Sequence, residues 1–138
     1  MFVTLLLGIL DIRTGEIQFA NAGHNPPILM RDKVWPEYLK LKPGIAAGVF
    51  EEAVYQTETL TLGSNDSLLL YTDGVTEAMD VRGVLYNEQR LKELVEGVGP
   101  RNTVDMVQAI MEDLARYSTG AEQSDDITIL NLKYNRPC

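Results

Sequence analysis

The sequence predicts an α+β protein with a mainly antiparallel sheet, and three observations predict it. From Phe2 to Thr72 the chain consists of short apolar or alternating runs punctuated by Gly, Pro, Asn and Asp. From Asn87 the apolar period changes to that of a helix, and after Gly120 the chain returns to a strand-like run, Ile127 to Leu132. Strands first, then helices, with no regular alternation of the two, is the pattern of a segregated α+β fold rather than a parallel α/β one.

Each element has its own justification. Phe2 to Leu10 is almost continuously apolar, as expected of a strand covered on both faces. Asp11 to Gly15 is a turn, and Glu16 to Ala20 alternates polar and apolar, so the pair reads as a β-hairpin. Asn21-Ala22-Gly23-His24-Asn25-Pro26-Pro27 is a tight connection in which the two prolines bar ladder pairing. Ile28 to Met30 is a short strand, Arg31 to Lys33 a turn and Val34 to Leu41 a return strand. A loop from Pro43 through Gly48 precedes a Thr-rich strand, Tyr55 to Leu62. Gly63 to Asp66 turns the chain into the strand Ser67 to Thr72.

The helical part follows from spacing. Leu91, Leu94, Val95 and Val98 lie at i, i+3, i+4 and i+7, which is one helical face. Asn87 is placed to cap that helix, with Glu88 in its first turn; Gly97, Gly99 and Pro100 stop it. Asn102, followed three residues later by Asp105, caps a second helix whose expected apolar face is Val107, Ile110, Met111 and Leu114.

Composition narrows the function. The chain has 138 residues and 45% hydrophobic content, enough for one domain or part of one. Its formal charge is -8, from 20 acidic and 12 basic side chains, which disfavours nucleic acid and anionic membrane surfaces as partners. The N-terminal apolar run lacks the basic start and small-residue end of a signal peptide, and no run of about 20 apolar residues exists. The one cysteine, Cys138, is terminal and reads as incidental. These features suggest a soluble intracellular (cytoplasmic) protein, or the cytosolic part of a larger one.

Two acidic sites stand out. Asp73 follows the apolar strand Ser67 to Thr72 and sits on a turn made by Gly74, so its carboxylate is expected close to the core. Asp-Gly is also a common plain turn; the fully apolar strand before it and the absence of a second strand in register after it argue otherwise. Ser124-Asp125-Asp126 immediately precedes the last strand. If that strand lies antiparallel to the one ending at Asp73, residues about fifty apart converge at one sheet end. Hard divalent cations take oxygen ligands and retain waters, so a few carboxylates suffice to hold them. Two such ions can activate a water and neutralise a transferred phosphoryl group. The single histidine, His24, lies in a Gly-Asn-Pro loop and reads as structural; Trp35 and Tyr38 read as core or sheet cover. No P-loop or Cys/His metal spacing is present.

Four segments carry a family resemblance: Met1-Phe2-Val3-Thr4-Leu5, Asn21 to Pro27, Tyr71-Thr72-Asp73-Gly74-Val75-Thr76-Glu77-Ala78, and Asp125-Asp126-Ile127-Thr128. In that order the chain resembles the C-terminal part of a metal-dependent protein phosphatase of the protein phosphatase 2C-like (PPM) superfamily, of the stage II sporulation protein E type. The resemblance implies an α-β-β-α sandwich of two antiparallel sheets around a binuclear Mn²⁺ or Mg²⁺ site. It implies Asp73 and Asp125 as metal ligands, Asp126 as the neighbouring residue that supports the site at a metal or its water, Gly74 as the turn that presents Asp73, and Glu77 as a supporting residue near an accessory metal. The implied reaction is attack of a metal-activated water on phosphoserine or phosphothreonine, on a substrate such as a phosphorylated anti-anti-sigma factor.

The family's first half, with its bridging aspartate in a Gly-Asp context, has no match here. Residues 1–138 are therefore expected to be a partial domain, weakly active or inactive alone, with an upstream sensor or regulatory domain. The loop Gly44 to Val49 also lacks the proline and leucine usual in the family before its second glycine. The alternative is a non-catalytic phosphatase-like module that binds a partner or self-associates as a homodimer through exposed sheet edges.

Overall fold

The structure is a computed structural model and describes residues 1–99, 102–122 and 125–137. Seven strands and three helices follow in the order β1 (Leu5–Leu10), β2 (Glu16–Ala22), β3 (Ile28–Met30), β4 (Glu37–Tyr38), β5 (Thr57–Thr61), β6 (Ser67–Tyr71), α1 (Asp73–Thr76), α2 (Asn87–Val98), α3 (Thr103–Tyr117) and β7 (Ile129–Lys133). They form two sheets, ordered β1-β2-β5 and β4-β3-β6-β7, and every pairing in them is antiparallel. This is the mixed α+β architecture expected.

Strand alternation assigns the layers. In the four-stranded sheet Leu29, Leu68, Leu70 and Leu132 point to one side, where they meet Leu10, Ile17 and Leu60 of the other sheet. Ile28, Leu69, Tyr71 and Ile129 point to the other side, against Leu91 and Val95 of α2 and Met106, Ile110 and Leu114 of α3. Each fully buried Leu or Ile contributes about 1.5–3 kcal/mol relative to exposure, so these two apolar layers hold the sheets and helices together. Among the described residues one charged side chain is buried. Asp66, 4% exposed, accepts a hydrogen bond from Arg31 Nη1 at 2.6 Å and another from the Gly63 amide at 2.8 Å.

Several expectations are corrected. β1 is shorter than Phe2 to Leu10, and it is not covered on both faces. It forms one edge of its sheet, and Leu5, Leu7 and Ile9, alternate residues on one face, are 48%, 59% and 70% exposed. Among the described residues no helix packs on that face. The return strand over Val34 to Leu41 contracts to Glu37–Tyr38, because the Val34 amide closes a turn on Arg31 O and Pro36 has no N–H to donate. Trp35 is not core: it is 76% exposed. Tyr38 does cover the sheet, packing against the helix-side core and donating to Glu88 O at 2.6 Å.

On α3 the buried face is Met106, Ile110 and Leu114, while Val107 is only half-buried and Met111 is exposed, so the face is rotated by one position towards Met106. The face of α2 is as read, with Leu91 and Val95 fully buried. Both caps act as expected. Asn102 Oδ1 accepts from the Asp105 amide at 2.9 Å, and Asn87 Oδ1 accepts from the Arg90 amide at 3.1 Å. Asn87, counted as the first residue of α2, has φ +62°, so it stands outside the helical conformation and is the functional cap. The expectations for Pro100, Ser124 and Cys138 lie outside the described residues.

Candidate metal centre at the end of β6 and β7

β6 and β7 pair from Ser67↔Lys133 to Tyr71↔Ile129, so the C-terminal end of β6 lies beside the N-terminal end of β7. That register brings Asp73 and Asp125-Asp126 to the same end of the sheet, as antiparallel pairing requires. Beyond the ladder the two strands are held together by Thr72. Its amide donates to Thr128 O at 3.0 Å, its Oγ1 donates to Asp126 O at 3.0 Å, and the same Oγ1 accepts from the Thr128 amide at 3.0 Å.

Gly74 serves this site differently from the expected turn. It lies in α1, with no left-handed φ, and its role is close approach: a Cβ at this position would lie 2.4 Å from Asp126 O and 2.9 Å from the Asp126 carbonyl carbon. Any side chain would push the two segments apart. Val75, fully buried, and Ala78 anchor α1 and the residues after it in the helix-side core. The Asp73 carbonyl accepts from the Glu77 amide at 2.8 Å and from Thr76 Oγ1 at 3.2 Å.

The carboxylates themselves face outward. Asp73, Glu77, Asp125 and Asp126 are all exposed, so the expected core-proximal position of Asp73 is corrected. The reason is local: α1 turns Gly74 and Val75 inward, which leaves the preceding side chain on the solvent side. Asp125 Oδ1 accepts from the Asp126 amide at 2.7 Å, which bends the segment just before β7. Among the described residues no three His, Cys, Asp or Glu side chains converge closely enough to form a metal cage. The donor set is all oxygen and open to water, which suits a hard divalent ion that keeps part of its hydration shell.

An apolar hollow of about 280 Å³ flanks this end of the sheet, with Gly74 on one side and Met79, Met111, Leu114 and Ile127 around it. On the other sheet the loop Gly44 to Val49 is pinned. Val3 and Ala47 exchange backbone hydrogen bonds of 2.9 and 2.8 Å, and a Cβ on Gly44 would lie 2.0 Å from Asn21 O. His24 is held in that neighbourhood by its amide, which donates to Asn21 Oδ1 at 2.9 Å, and its Nδ1 lies 3.5 Å from Thr4 Oγ1. These contacts suit a bracing role for the loop.

Sequence reasoning missed Thr72. The available signal was a hydroxyl residue between a buried strand end and an aspartate, paired with a second threonine, Thr128, at the matching position before β7.

Comparison with known proteins agrees with this architecture. A family model described as Stage II sporulation protein E (SpoIIE) matches residues 1–135. Protein IcfG of Synechocystis sp. is 30% identical over 135 residues, covering 98% of this chain and 21% of that protein. Phosphoserine phosphatase RsbP of Bacillus subtilis is 31% identical over 117 residues, covering 85% of this chain and 27% of that protein. The solved SiaA-PP2C domain of Pseudomonas aeruginosa superposes with a TM-score of 0.81 at 23% identity, over 96% of this chain and 52% of that one. The chain thus spans between a fifth and a third of the curated relatives just named.

Proposed function

Because the chain belongs to the stage II sporulation protein E family of PP2C-like phosphatase domains, we propose that it forms the C-terminal part of a metal-dependent serine/threonine phosphoprotein phosphatase. The observation that carries the reading is the close approach of the backbone flanking Asp73 to that of Asp126, which Gly74 permits and the hydrogen bonds of Thr72 hold. Asp73 and Asp125 would hold Mn²⁺ or Mg²⁺, with Asp126 beside them and Glu77 as an accessory group. Bound there, the ions would supply charge neutralisation for the phosphoryl group and an activated water.

The chain's own residues do the positioning. Thr72 keeps the two backbone segments in register, so that Asp73 and Asp125 would be presented to a cation from the same end of the sheet. α1 turns Asp73 outward, where a protein substrate can reach it. The hollow beside Gly74 would receive an apolar side chain next to the phosphorylated residue. We place the activity in the cytoplasm, on a phosphorylated regulator of the anti-anti-sigma type, under control of an upstream sensor or regulatory domain.

A second reading, a non-catalytic module that binds a partner or forms a homodimer, is favoured by the exposed apolar residues of β1 and by the lack of a three-ligand cluster among the described residues. Mn²⁺-dependent hydrolysis of a phosphate ester, measured on this chain and on a version extended upstream, separates the two. The phosphatase reading predicts turnover in the extended protein that is lost in Asp73→Ala, with little from residues 1–138 alone. Activity in the extended protein that survives Asp73→Ala would refute the site.

A further inference from the structure

A second cavity lies at the other end of the same sheet. It has a volume of about 430 Å³, within the range of small-molecule sites, and opens between the helix-facing side of the sheet, α2, α3 and the turn that joins β3 to β4. β6 separates it from the candidate metal centre: Ser67 borders the cavity, and Tyr71, two residues before Asp73, lies about 13 Å away along the strand.

Its floor breaks the rule of the layer it belongs to. The helix-facing side of this sheet is otherwise apolar, with Ile28, Leu69, Tyr71 and Ile129. At this end the same face carries Ser67, Asn131 and Lys133, since Leu69 pairs with Asn131 and Ser67 with Lys133. Asn131 Oδ1 is buried and accepts no hydrogen bond among the described residues. A buried acceptor without a partner costs about 1–3 kcal/mol, so the position is unfavourable unless a donor fills it.

The rim adds two features. Trp35, 76% exposed, lines the opening and gives no packing reason for its indole to stand there. Lys33 and Lys133 also line the cavity, and neither makes an ion pair among the described residues. The third cation, Arg31, is engaged by Asp66. Of the two lining acids, Glu96 pairs with Lys92 at 3.7 Å and Asp32 stands on the turn.

We propose that this cavity is a binding site for a small planar aromatic anion that carries a hydrogen-bond donor on its ring edge. The ring stacks on Trp35, the donor reaches Asn131 Oδ1 and the anionic group meets Lys33 and Lys133. Nucleoside monophosphates and indole carboxylates both present this chemistry. The chain has one tryptophan beside six tyrosines, so fluorescence excited at the red edge, where tyrosine does not absorb, reports on Trp35 alone.

The test titrates the 138-residue chain with GMP, with AMP and with indole-3-acetate. Trp35 fluorescence follows the two nucleotides, and ligand-observed saturation-transfer NMR follows all three. Saturable binding below millimolar concentration by at least one of them supports the proposal, and which one binds separates the nucleotide from the carboxylate source. Asn131→Leu should weaken that binding about tenfold or more while the fold becomes no less stable, because the unpaired acceptor is gone. Lys33→Met should weaken it too, and Trp35→Phe should retain it. Absence of saturable binding by all three probes overturns the proposal. So does binding that is unchanged in Asn131→Leu and in Lys33→Met.

Discussion

Replacing Gly74 by alanine adds one methyl group at the tightest backbone approach in the candidate metal centre. The new Cβ would lie 2.4 Å from Asp126 O, whereas a relaxed carbon–oxygen contact needs about 3.3 Å or more. One segment must therefore retreat by about 1 Å. The neighbouring atom is a backbone carbonyl, so no rotamer change can relieve the clash. Retreat also stretches the 3.0 Å hydrogen bond that Thr72 Oγ1 donates to that carbonyl. Overpacking of this kind costs about 1–3 kcal/mol, and the strained hydrogen bond adds about 1 kcal/mol. Gly74→Ala should thus destabilise the chain by about 2–4 kcal/mol. The matched control is Gly97→Ala, in α2, where an added Cβ meets nothing within 4 Å. There the same methyl group should stabilise by about 0.5–1 kcal/mol through helix propensity. Urea unfolding of the two variants and the parent measures both signs, and amide shifts should move at Asp126 and Ile127 in Gly74→Ala alone. A Gly74→Ala protein as stable as the parent, with those amides unmoved, would refute the close approach on which the site rests.

Two further perturbations follow from the same structure. Asn87 combines φ +62° with a side-chain cap on the Arg90 amide, so Asn87→Ala should lose about 1–2 kcal/mol, while Asn87→Gly, free of strain, should lose only a few tenths in the same unfolding assay. Burial pushes the Tyr38 phenol up to about 12 from 10.0, so between about pH 10 and 12 the unfolded chain releases a proton that the folded chain retains; stability should fall with rising pH across that window, less steeply in Tyr38→Phe, as read by thermal unfolding with parallel tyrosinate absorbance.

The sheet end was legible in the sequence because its cause is local and its geometry is generic. An apolar run ending at Asp73 and another starting after Asp126 need only antiparallel pairing to meet, and β6 and β7 pair that way. Caps were legible for the same reason, since Asn102 and Asn87 satisfy amides three residues away. What failed depended on neighbours. The apolar pattern of Leu5, Leu7 and Ile9 states that a cover is favourable, but not whether one is within the same 138 residues. The strand over Val34 to Leu41 had the right side chains, yet the turn at Arg31 and the missing donor of Pro36 left two residues paired. Gly74 was expected to form a turn and instead permits a close approach, because a sequence distinguishes a flexible glycine from a close-approach glycine only when the opposing backbone is known. Thr72 passed unnoticed because its partners lie more than fifty residues away.

The central claim is that Asp73 and Asp125 hold a divalent cation together, and Mn²⁺ titration followed by NMR line broadening tests it without requiring turnover. Paramagnetic Mn²⁺ added to the 138-residue chain should broaden the amides of Asp73, Gly74, Asp125 and Asp126 first, and Asp73→Asn with Asp125→Asn should abolish that selectivity while the rest of the spectrum stays folded. Broadening centred on another acidic cluster, such as Glu51 and Glu52, or unchanged selectivity in the double variant, would contradict the account.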